Sequence, residues 1–442
     1  MTTTIRVRVL SASLWTAGGF AAQKAFQLGS NLVLTRLLFP EAFGLMALAN
    51  VVLIAIGMFS DIGIKPAIIQ SPRGEEEAFL NTAWTIQVSR GFFMWFGTCV
   101  FAYPASIAYG HPVLWPLISM LGAAAAIGGF SSISLATCER RLMVQRLTLI
   151  QLAGQLISLS LTALMAWQLR SVWALVWGGL AGSLTGAILS HLFLPRHRHR
   201  FTWDKDAAQA MVRFGRWIFF STALTFTAGH GLRMLQGLLL PAGELGVLSI
   251  AQTIAAIPTD LTMQVITMAV FPALCEARNI SHDRMVEVMR NLHSKILLLS
   301  LAGFLAIALV AIPFIHLLYD ARYAGAGPQL VLLVLAGAIA IIPLPYQNAV
   351  IALGDSRLHA MFMLVATAMR IVAMLFGFKI AGMSGMLLGI AVGSFAGYLF
   401  VVWHVRKLGI WFPRTDLLGF AVTAIGVAAC TSIYGTHALW AG

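Results

Sequence analysis

The sequence predicts an all-α, polytopic membrane helix bundle. Hydrophobic residues make up 59% of the 442 residues and charged residues only 10%, whereas soluble domains carry about 25% charged residues. Mean hydropathy is +0.85. Runs of about 20 apolar residues recur along nearly the whole chain, and each can cross a hydrocarbon core of about 30 Å as a helix. Because backbone groups in lipid must hydrogen-bond within their own segment, these repeated runs predict a helix bundle.

Each hydrophobic segment is a predicted membrane helix. The first run, from Ser11 to Leu38, is longer than the apolar h-region of a typical signal peptide and carries Lys24 at its middle, so it is interpreted as the first membrane helix. The last segment has little after it to anchor it. We therefore expect twelve core helices and one appended C-terminal helix. The thirteen segments are 11–36, 42–65, 81–109, 113–138, 146–168, 171–195, 212–238, 243–274, 293–319, 327–353, 358–379, 382–404 and 416–440.

Lysine and arginine placement predicts the orientation. With the N-terminus in the cytoplasm of a bacterial inner membrane, most basic residues lie in the inside loops, and only Arg36, Arg170, Arg322 and Lys379 lie in the outside loops. The net charge of +13 then faces anionic membrane lipids, which we expect as partners. Nucleic acid is not needed to explain the charge.

Matching residues recur at a constant interval of 202 residues. Trp15 and Trp217, Gly44 and Gly246, and Asn50 and Gln252 are such pairs, and a Leu-rich turn ending in proline precedes each glycine. Their common order predicts two parallel six-helix lobes rather than chance similarity. The predicted domains are an N-terminal lobe (1–195), a basic cytoplasmic linker (196–211), a C-terminal lobe (212–404) and an appended helix (405–442).

No motif in the sequence indicates a catalytic or metal site. The four cysteines are scattered without a CxxC pair, which predicts reduced structural thiols. The run from Arg196 to Arg200 alternates arginine and histidine, and its guanidinium charges would repel a metal ion. With no phosphate loop or nucleophile elbow either, we expect neither an enzyme nor a cofactor.

Ionisable residues inside predicted helices are the first candidates for function, because burying them in lipid is costly. Lys24 and Arg370 lie about 20 Å from their helix ends, at 1.5 Å per residue, and we expect them to face a hydrated cavity. Arg90 and Arg233 lie nearer to membrane surfaces, so their side chains either reach those surfaces or face the same cavity.

Helical spacing places further polar residues beside these cations. Residues three, four or seven positions apart share a helix face. Two lobes that both direct cationic faces inward would enclose a positive cavity suited to phosphate or pyrophosphate. The residues that share such faces are Lys24 with Gln27 and Asn31, Gln87 with Arg90, His230 with Arg233, and Thr367 with Arg370.

Asp260 is the one deep acidic candidate. It follows Pro258, which frees a backbone carbonyl. A carboxylate beside a free carbonyl could bind a coupling Na⁺ or proton. The alternative is that Asp260 pairs with a buried arginine or with His230, and the sequence leaves both interpretations open.

Five stretches in a specific order carry a resemblance to a known family: Arg36-Leu37-Leu38-Phe39-Pro40-Glu41-Ala42-Phe43-Gly44-Leu45, Asp61-Ile62-Gly63-Ile64, Ala67-Ile68-Ile69-Gln70, Asn81-Thr82-Ala83-Trp84 and Phe271-Pro272-Ala273-Leu274. They resemble polysaccharide flippases of the Wzx type, and the resemblance covers about residues 10–405. These flippases belong to the polysaccharide-transporter branch of the multidrug/oligosaccharidyl-lipid/polysaccharide exporter superfamily. The chain departs from this pattern at Leu232, where relatives commonly carry Asp, and in its thirteen segments, where many have fourteen.

The resemblance implies alternating access around a central cavity. It also implies an undecaprenyl-pyrophosphate-linked oligosaccharide as cargo for O-antigen, capsule or exopolysaccharide synthesis, with a polymerase and chain-length machinery as partners. Two alternatives remain. A drug or cation antiporter of the same superfamily would be expected to place carboxylates in the cavity, and a polysaccharide polymerase or ligase would be expected to carry a large periplasmic loop.

Overall fold

The computed structural model of the protein describes the backbone of residues 2–61, 63–141, 143–195 and 197–440, and side chains from residue 14 onward except at 210, 212–221 and 436–440. Arg196 and the side chain of Trp217 therefore lie outside the described residues. The α-helices are α1 (Thr2–Leu37), α2 (Pro40–Phe59), α3 (Ile64–Gln70), α4 (Glu77–Ala108), α5 (Leu114–Gly129), α6 (Ser134–Arg140), α7 (Val144–Leu169), α8 (Trp173–Phe193), α9 (Lys205–Leu239), α10 (Ala242–Val265), α11 (Phe271–Ile280), α12 (His282–Leu318), α13 (Ala326–Ile341), α14 (Leu344–Ala352), α15 (Ser356–Lys407) and α16 (Pro413–Trp440).

The all-helical membrane fold predicted from the sequence is confirmed. Among the described residues, nine helices are long and apolar enough to cross a membrane, or ten if α5 and α6 form one bent span. Each of the thirteen predicted segments overlaps one or two of the α-helices. The span Ser356–Lys407 counts once among the nine, although it contains two of the predicted segments.

The regular α-helix is interrupted within the predicted segments 113–138 and 243–274. α5 and α6 meet at 65°, and the amide of Gln87 on α4 donates to the carbonyls of Gly129 and Ser131 at the bend, at 2.9 and 3.0 Å. A π-helix, Ile266–Val270, joins α10 to α11 just before Pro272. Proline has no N–H to continue the regular ladder, which is a common cause of such irregularities.

α15 is a helical hairpin. Ala381 and Gly382 leave helical geometry, and Gly382 has φ +57°. A Cβ added at Gly385, Gly389 or Gly393 would overlap the backbone of the first arm. Glycines at every fourth position therefore let the two arms of the hairpin pack backbone against backbone.

The chain forms two compact units. The first comprises 1–226 with 233–246, and the second comprises 227–232 with 247–442. Within the first, a Cβ at Gly44 would overlap the carbonyl of Ala242, and one at Gly246 would overlap the carbonyl of Pro40. The two contacts are reciprocal, because Gly246 lies 202 positions after Gly44 and Ala242 lies 202 positions after Pro40. The boundaries at 195, 211 and 404 stay predictions.

Candidate functional site

The second unit contains a cavity that includes Arg370, one of the two deepest cations predicted from the sequence. The cavity has a volume of about 200 Å³ and lies between α10, the α13–α14 break and both arms of α15. Its polar lining comes from Thr259, Gln347, Ser394 and Tyr398. One guanidinium thus shares a small cavity with an amide and three hydroxyls.

The side chain of Arg370 has only neutral partners. Its Nε donates to the carbonyl of Ala366 at 3.2 Å, and Nη2 donates to Oγ1 of Thr367 at 3.3 Å. Among the residues that the structure describes, no carboxylate forms an ion pair with it. Since a guanidinium has five N–H donors, several remain available to an anionic ligand.

The hairpin holds Arg370 in place through its backbone. A Cβ at Gly393 would overlap the Cα and N of Arg370, and one at Gly389 would overlap the carbonyl of Ala373. The second arm therefore packs directly on the turn that carries the arginine. This contact fixes the root of the side chain, which a long flexible side chain requires for a defined geometry.

A buried carboxylate network adjoins the cavity through Tyr398. Asp416, which is 1% exposed, accepts hydrogen bonds from the hydroxyls of Tyr346 and Tyr398 at 2.9 Å each. It also accepts from the indole of Trp411 and from Nε2 of His293, both at 3.1 Å. The carboxylate joins α12, α14, α15 and α16, and four donors satisfy its oxygens.

The Asp416 network was not predicted from the sequence. Asp416 opens the last hydrophobic segment, and its four partners are between 5 and 123 residues away along the chain. An available signal was the first-turn position of an acidic residue in a helix. Nothing in the sequence indicated that the position is buried.

In the first unit, α1 carries Lys24, Gln27 and Asn31. Nζ of Lys24 lies 5.6 Å from the ring centroid of Phe20. Gln27 is exposed, and Lys24 and Asn31 are partly buried. The polar face predicted for α1 is therefore partly exposed, and its role in binding stays a prediction.

Gln23 on α1, the residue before Lys24, is hydrogen-bonded to two glutamines of α7. The sequence analysis missed these contacts. Nε2 of Gln23 donates to Oε1 of Gln151 at 3.1 Å, and Nε2 of Gln155 donates to the carbonyl of Gln23 at 3.3 Å. These amides place additional hydrogen-bonding groups next to the lysine in sequence. Their i, i+4 spacing on α7 was a signal that could have been found.

Arg90 is held by the end of α2. Its Nη2 donates to the carbonyl of Gly57 at 3.1 Å and its Nε to the hydroxyl of Ser60 at 3.3 Å. Nη1 lies 3.8 Å from Oδ1 of Asp61. These contacts tie α4 to the last turn of α2, so they favour a structural role for Arg90.

The remaining candidates lie on α9 and α10. His230 is partly buried, and Arg233, one turn later on α9, is exposed. Asp260 is partly buried on α10, next to Thr259 of the cavity in the second unit. Among the described residues, no group of three or more His, Cys, Asp or Glu side chains could hold a metal ion.

The basic run after α8 packs on α4. Oδ1 of Asn81 lies 3.0 Å from Nε2 of His197 and accepts from the backbone of Arg200. Asp204, which caps α9, also accepts from Arg73 at 2.9 Å. That hydrogen bond lowers the pKa of Asp204.

These features agree with what the chain resembles. Residues 33–328 match the family model described as polysaccharide biosynthesis protein. The chain belongs to this family.

Two relatives are named for polysaccharide biosynthesis. The chain is 22% identical over 390 residues to the lipopolysaccharide biosynthesis protein WzxC of Escherichia coli K12, covering 87% of this chain and 78% of that protein. It is 24% identical over 310 residues to the succinoglycan biosynthesis transport protein ExoT of Rhizobium meliloti 1021, covering 70% and 62%. Both support the predicted resemblance to Wzx-type flippases.

A solved structure shows the same fold. The lipid II flippase MurJ, in an inward closed conformation, superposes with a TM-score of 0.68 at 12% identity, covering 95% of this chain and 98% of that one. This polysaccharide biosynthesis protein is therefore a multi-pass membrane protein with the same fold as that structure. The relatives whose names state an activity are a transport protein and a flippase, in agreement with the prediction that the chain is not an enzyme.

Proposed function

We propose that the chain is an inner-membrane flippase that moves an undecaprenyl-pyrophosphate-linked oligosaccharide from the cytoplasmic to the periplasmic leaflet. The product would serve O-antigen, capsule or exopolysaccharide synthesis, and a polymerase and chain-length machinery would receive it. Transport would proceed by alternating access with the N-terminus in the cytoplasm. The observation that carries the proposal is Arg370, a cation without a described carboxylate partner in a polar-lined cavity.

The chemistry of the cavity supports an anionic group as its ligand. Arginine recognises phosphate oxygens through parallel N–H donors, and such charge-assisted bonds are stronger than neutral ones. A cationic drug would be repelled by the same guanidinium. We assign the pyrophosphate to Arg370 and Lys24, with help from Arg233.

The neutral polar side chains are assigned to the sugar. Gln27 and Asn31 on α1 and His230 on α9 offer amide and imidazole groups, which suit sugar hydroxyls. Arg90 is assigned a supporting role, because Asp61, Ser60 and Gly57 already occupy its guanidinium. Asp260 remains the candidate for Na⁺ or proton coupling.

Complementation of a deletion strain tests this proposal. Arg370→Ala and Lys24→Ala should each lower surface polysaccharide and raise the lipid-linked intermediate in the cytoplasmic leaflet. Loss of a charge-assisted contact worth about 1.5–3 kcal/mol predicts a decrease of roughly 10- to 150-fold in transport at limiting substrate. Mass spectrometry of extracted lipids would identify the accumulating intermediate.

Arg357→Ala is the matched control, since Arg357 is an exposed arginine at the start of the same helix. It should restore polysaccharide fully. Normal expression and full restoration by both Arg370→Ala and Lys24→Ala would refute the site. A deletion strain that accumulates no lipid-linked intermediate, but loses resistance to a cationic drug, would refute the function.

A further inference from the structure

His293 is a buried histidine with one imidazole nitrogen that makes no hydrogen bond. Its side chain on α12 is 0% exposed, and its Nε2 lies 3.1 Å from Oδ1 of Asp416. Because a carboxylate only accepts hydrogen bonds, Nε2 carries the hydrogen and Nδ1 is left with a lone pair. Among the described residues, this Nδ1 has no hydrogen-bond partner. Since buried polar atoms are nearly always paired, this nitrogen is a candidate for binding a proton.

Aromatic rings and one carboxylate enclose His293. Its ring stacks on Tyr346 of α14 with centroids 4.7 Å apart and lies 6.0 Å from the ring of Phe412. The helix α13, which also packs on α12, carries no titratable side chain. A proton on Nδ1 would make an imidazolium beside the carboxylate of Asp416, and a buried charge pair is less costly than an unpaired buried charge.

The other charged groups near this pair are two arginines. Arg290 lies 5.6 Å from the ring centroid of Phe412. Arg406 lies 5.9 Å from that of Trp411, whose indole N–H donates to Asp416. Both arginines are exposed, so salt in the solvent screens their charges. The carboxylate remains the ionic group in direct contact with the imidazole.

One tyrosine connects the histidine–aspartate pair to the cavity of Arg370. Tyr398 lines that cavity, and its hydroxyl donates to Oδ2 of Asp416 at 2.9 Å. Two hydrogen bonds therefore lead from a residue of the cavity to the imidazole of His293. Because these groups are buried, a charge in the cavity interacts with the imidazole more strongly than it would through water.

The cavity itself compensates one negative charge. Among the described residues that line it, Arg370 is the one charged side chain. A diphosphate diester, which is the head group of the proposed cargo, carries two negative charges near neutral pH. Its second charge is costly to bury without a counter-charge. A proton bound at His293 would supply this counter-charge.

We propose that an anionic ligand in the Arg370 cavity binds together with a proton on His293. The inference rests on the proposed binding of diphosphate at Arg370 and adds a regulation of that site by pH. The proton comes from the solvent and binds Nδ1, where Asp416 keeps the imidazolium paired. Histidine suits this role because its charge ordinarily changes between pH 5 and 8. Since binding takes up a proton, the ligand binds more tightly as the pH falls.

Isothermal titration calorimetry of the purified full chain tests the proposal. The probe is symmetric dimethyl diphosphate, a diester that keeps both charges between pH 5.5 and 8.5 and takes up no proton itself. In the wild type, its affinity should decrease about tenfold across this range, as expected for opposite charges a few hydrogen bonds apart in the interior. Near the middle of the range, heats in buffers of different ionisation enthalpy should show uptake of part of one proton per ligand.

Four variants locate the probe and the proton. Arg370→Ala should abolish binding, and His293→Gln should bind with an affinity that does not change with pH. Tyr398→Phe, which breaks the hydrogen-bonded link, should reduce the pH dependence. His404→Gln is the matched control and should keep it, because His404 is a partly buried histidine whose Nδ1 contacts the carbonyl of Phe400 in its own helix at 3.0 Å.

The outcomes separate this inference from the proposed function. Binding by the wild type with neither pH dependence nor proton uptake would overturn the inference and leave the diphosphate site intact. Full pH dependence in His293→Gln would overturn it as well. A wild type that binds no probe at any pH would overturn the diphosphate site and the inference together. Because proton uptake is measured on the wild type, the test does not depend on the folding of any variant.

Discussion

Among the hydrogen-bond acceptors described above, the carboxylate of Asp416 should contribute most to the stability of the second unit. Asp416→Ala removes the acceptor of four donors: the buried hydroxyls of Tyr346 and Tyr398, Nε2 of the buried His293 and the indole of the partly buried Trp411. Each such donor costs about 1–3 kcal/mol. Because relaxation and water entry recover part of this, we expect a loss of about 5 kcal/mol.

A graded series tests whether the network acts through its hydrogen bonds. Tyr398→Phe removes one donor to a charged group and should cost about 1.5–3 kcal/mol. Asp416→Asn keeps one acceptor oxygen and should fall between this variant and Asp416→Ala. Thermal unfolding in detergent, followed by size-exclusion chromatography, should give midpoints that decrease in that order.

Asp355→Ala provides the matched control. Asp355 is an exposed carboxylate whose Oδ1 caps α15 by accepting from the backbone of Leu358 at 2.8 Å. Loss of a cap costs about 1 kcal/mol. If Asp416→Ala unfolded at the same midpoint as Asp355→Ala, the buried network would contribute no more than one exposed cap, and the reasoning would be refuted.

Three further predictions concern other contacts. Burial lowers the pKa of His199 from 6.5 to about 4, so between these pH values the unfolded chain binds more protons than the folded protein. The contribution of His199 to stability is therefore complete above pH 6.5 and is lost as the pH falls towards 4. The wild type should therefore lose more thermal stability than His199→Gln between pH 7.5 and 4.5, and equal losses would contradict this. Gly389→Leu should force the α15 arms apart at Ala373 and destabilise the protein by about 1–3 kcal/mol. Thermal unfolding measures this loss, and an unchanged midpoint would mean that the arms do not touch. Gly44→Leu should separate the starts of α2 and α10 at Ala242, and disulfide cross-linking of cysteines placed at these helix starts should be weaker than in the wild-type background.

The membrane fold could be predicted from the sequence because the hydrocarbon core requires apolar side chains along the whole length of each span. A polar residue in such a span, Arg370 for example, is conspicuous for the same reason. Its position in a cavity, by contrast, depends on Tyr398 from the second arm of α15 and on Gln347 from α14. The sequence offered the right residue type and depth for this site without the neighbours that define it.

Other features depend on contacts that one-dimensional patterns do not contain. Gln87 and Arg90 share a helix face as predicted, yet Gln87 caps the bend at Gly129 and Arg90 holds the end of α2 at Asp61. The polar face that indicated a ligand site is thus used to bind backbone and carboxylate groups of the protein itself. Only the three-dimensional structure shows that these polar side chains bind groups of the protein itself rather than a ligand.

The glycine-lined hairpin of α15 restricts what a transport cycle can do to its own cavity. With no side chain between Gly389 and Ala373 or between Gly393 and Arg370, sliding one arm along the other would drive neighbouring Cβ atoms into backbone. The hairpin must therefore travel as one rigid piece, carrying Arg370, Ser394 and Tyr398 together. A transport cycle that changes the width of this cavity therefore has to displace α10, α13 or α14. Only the movement of these helices would strengthen or weaken the binding of an anionic ligand.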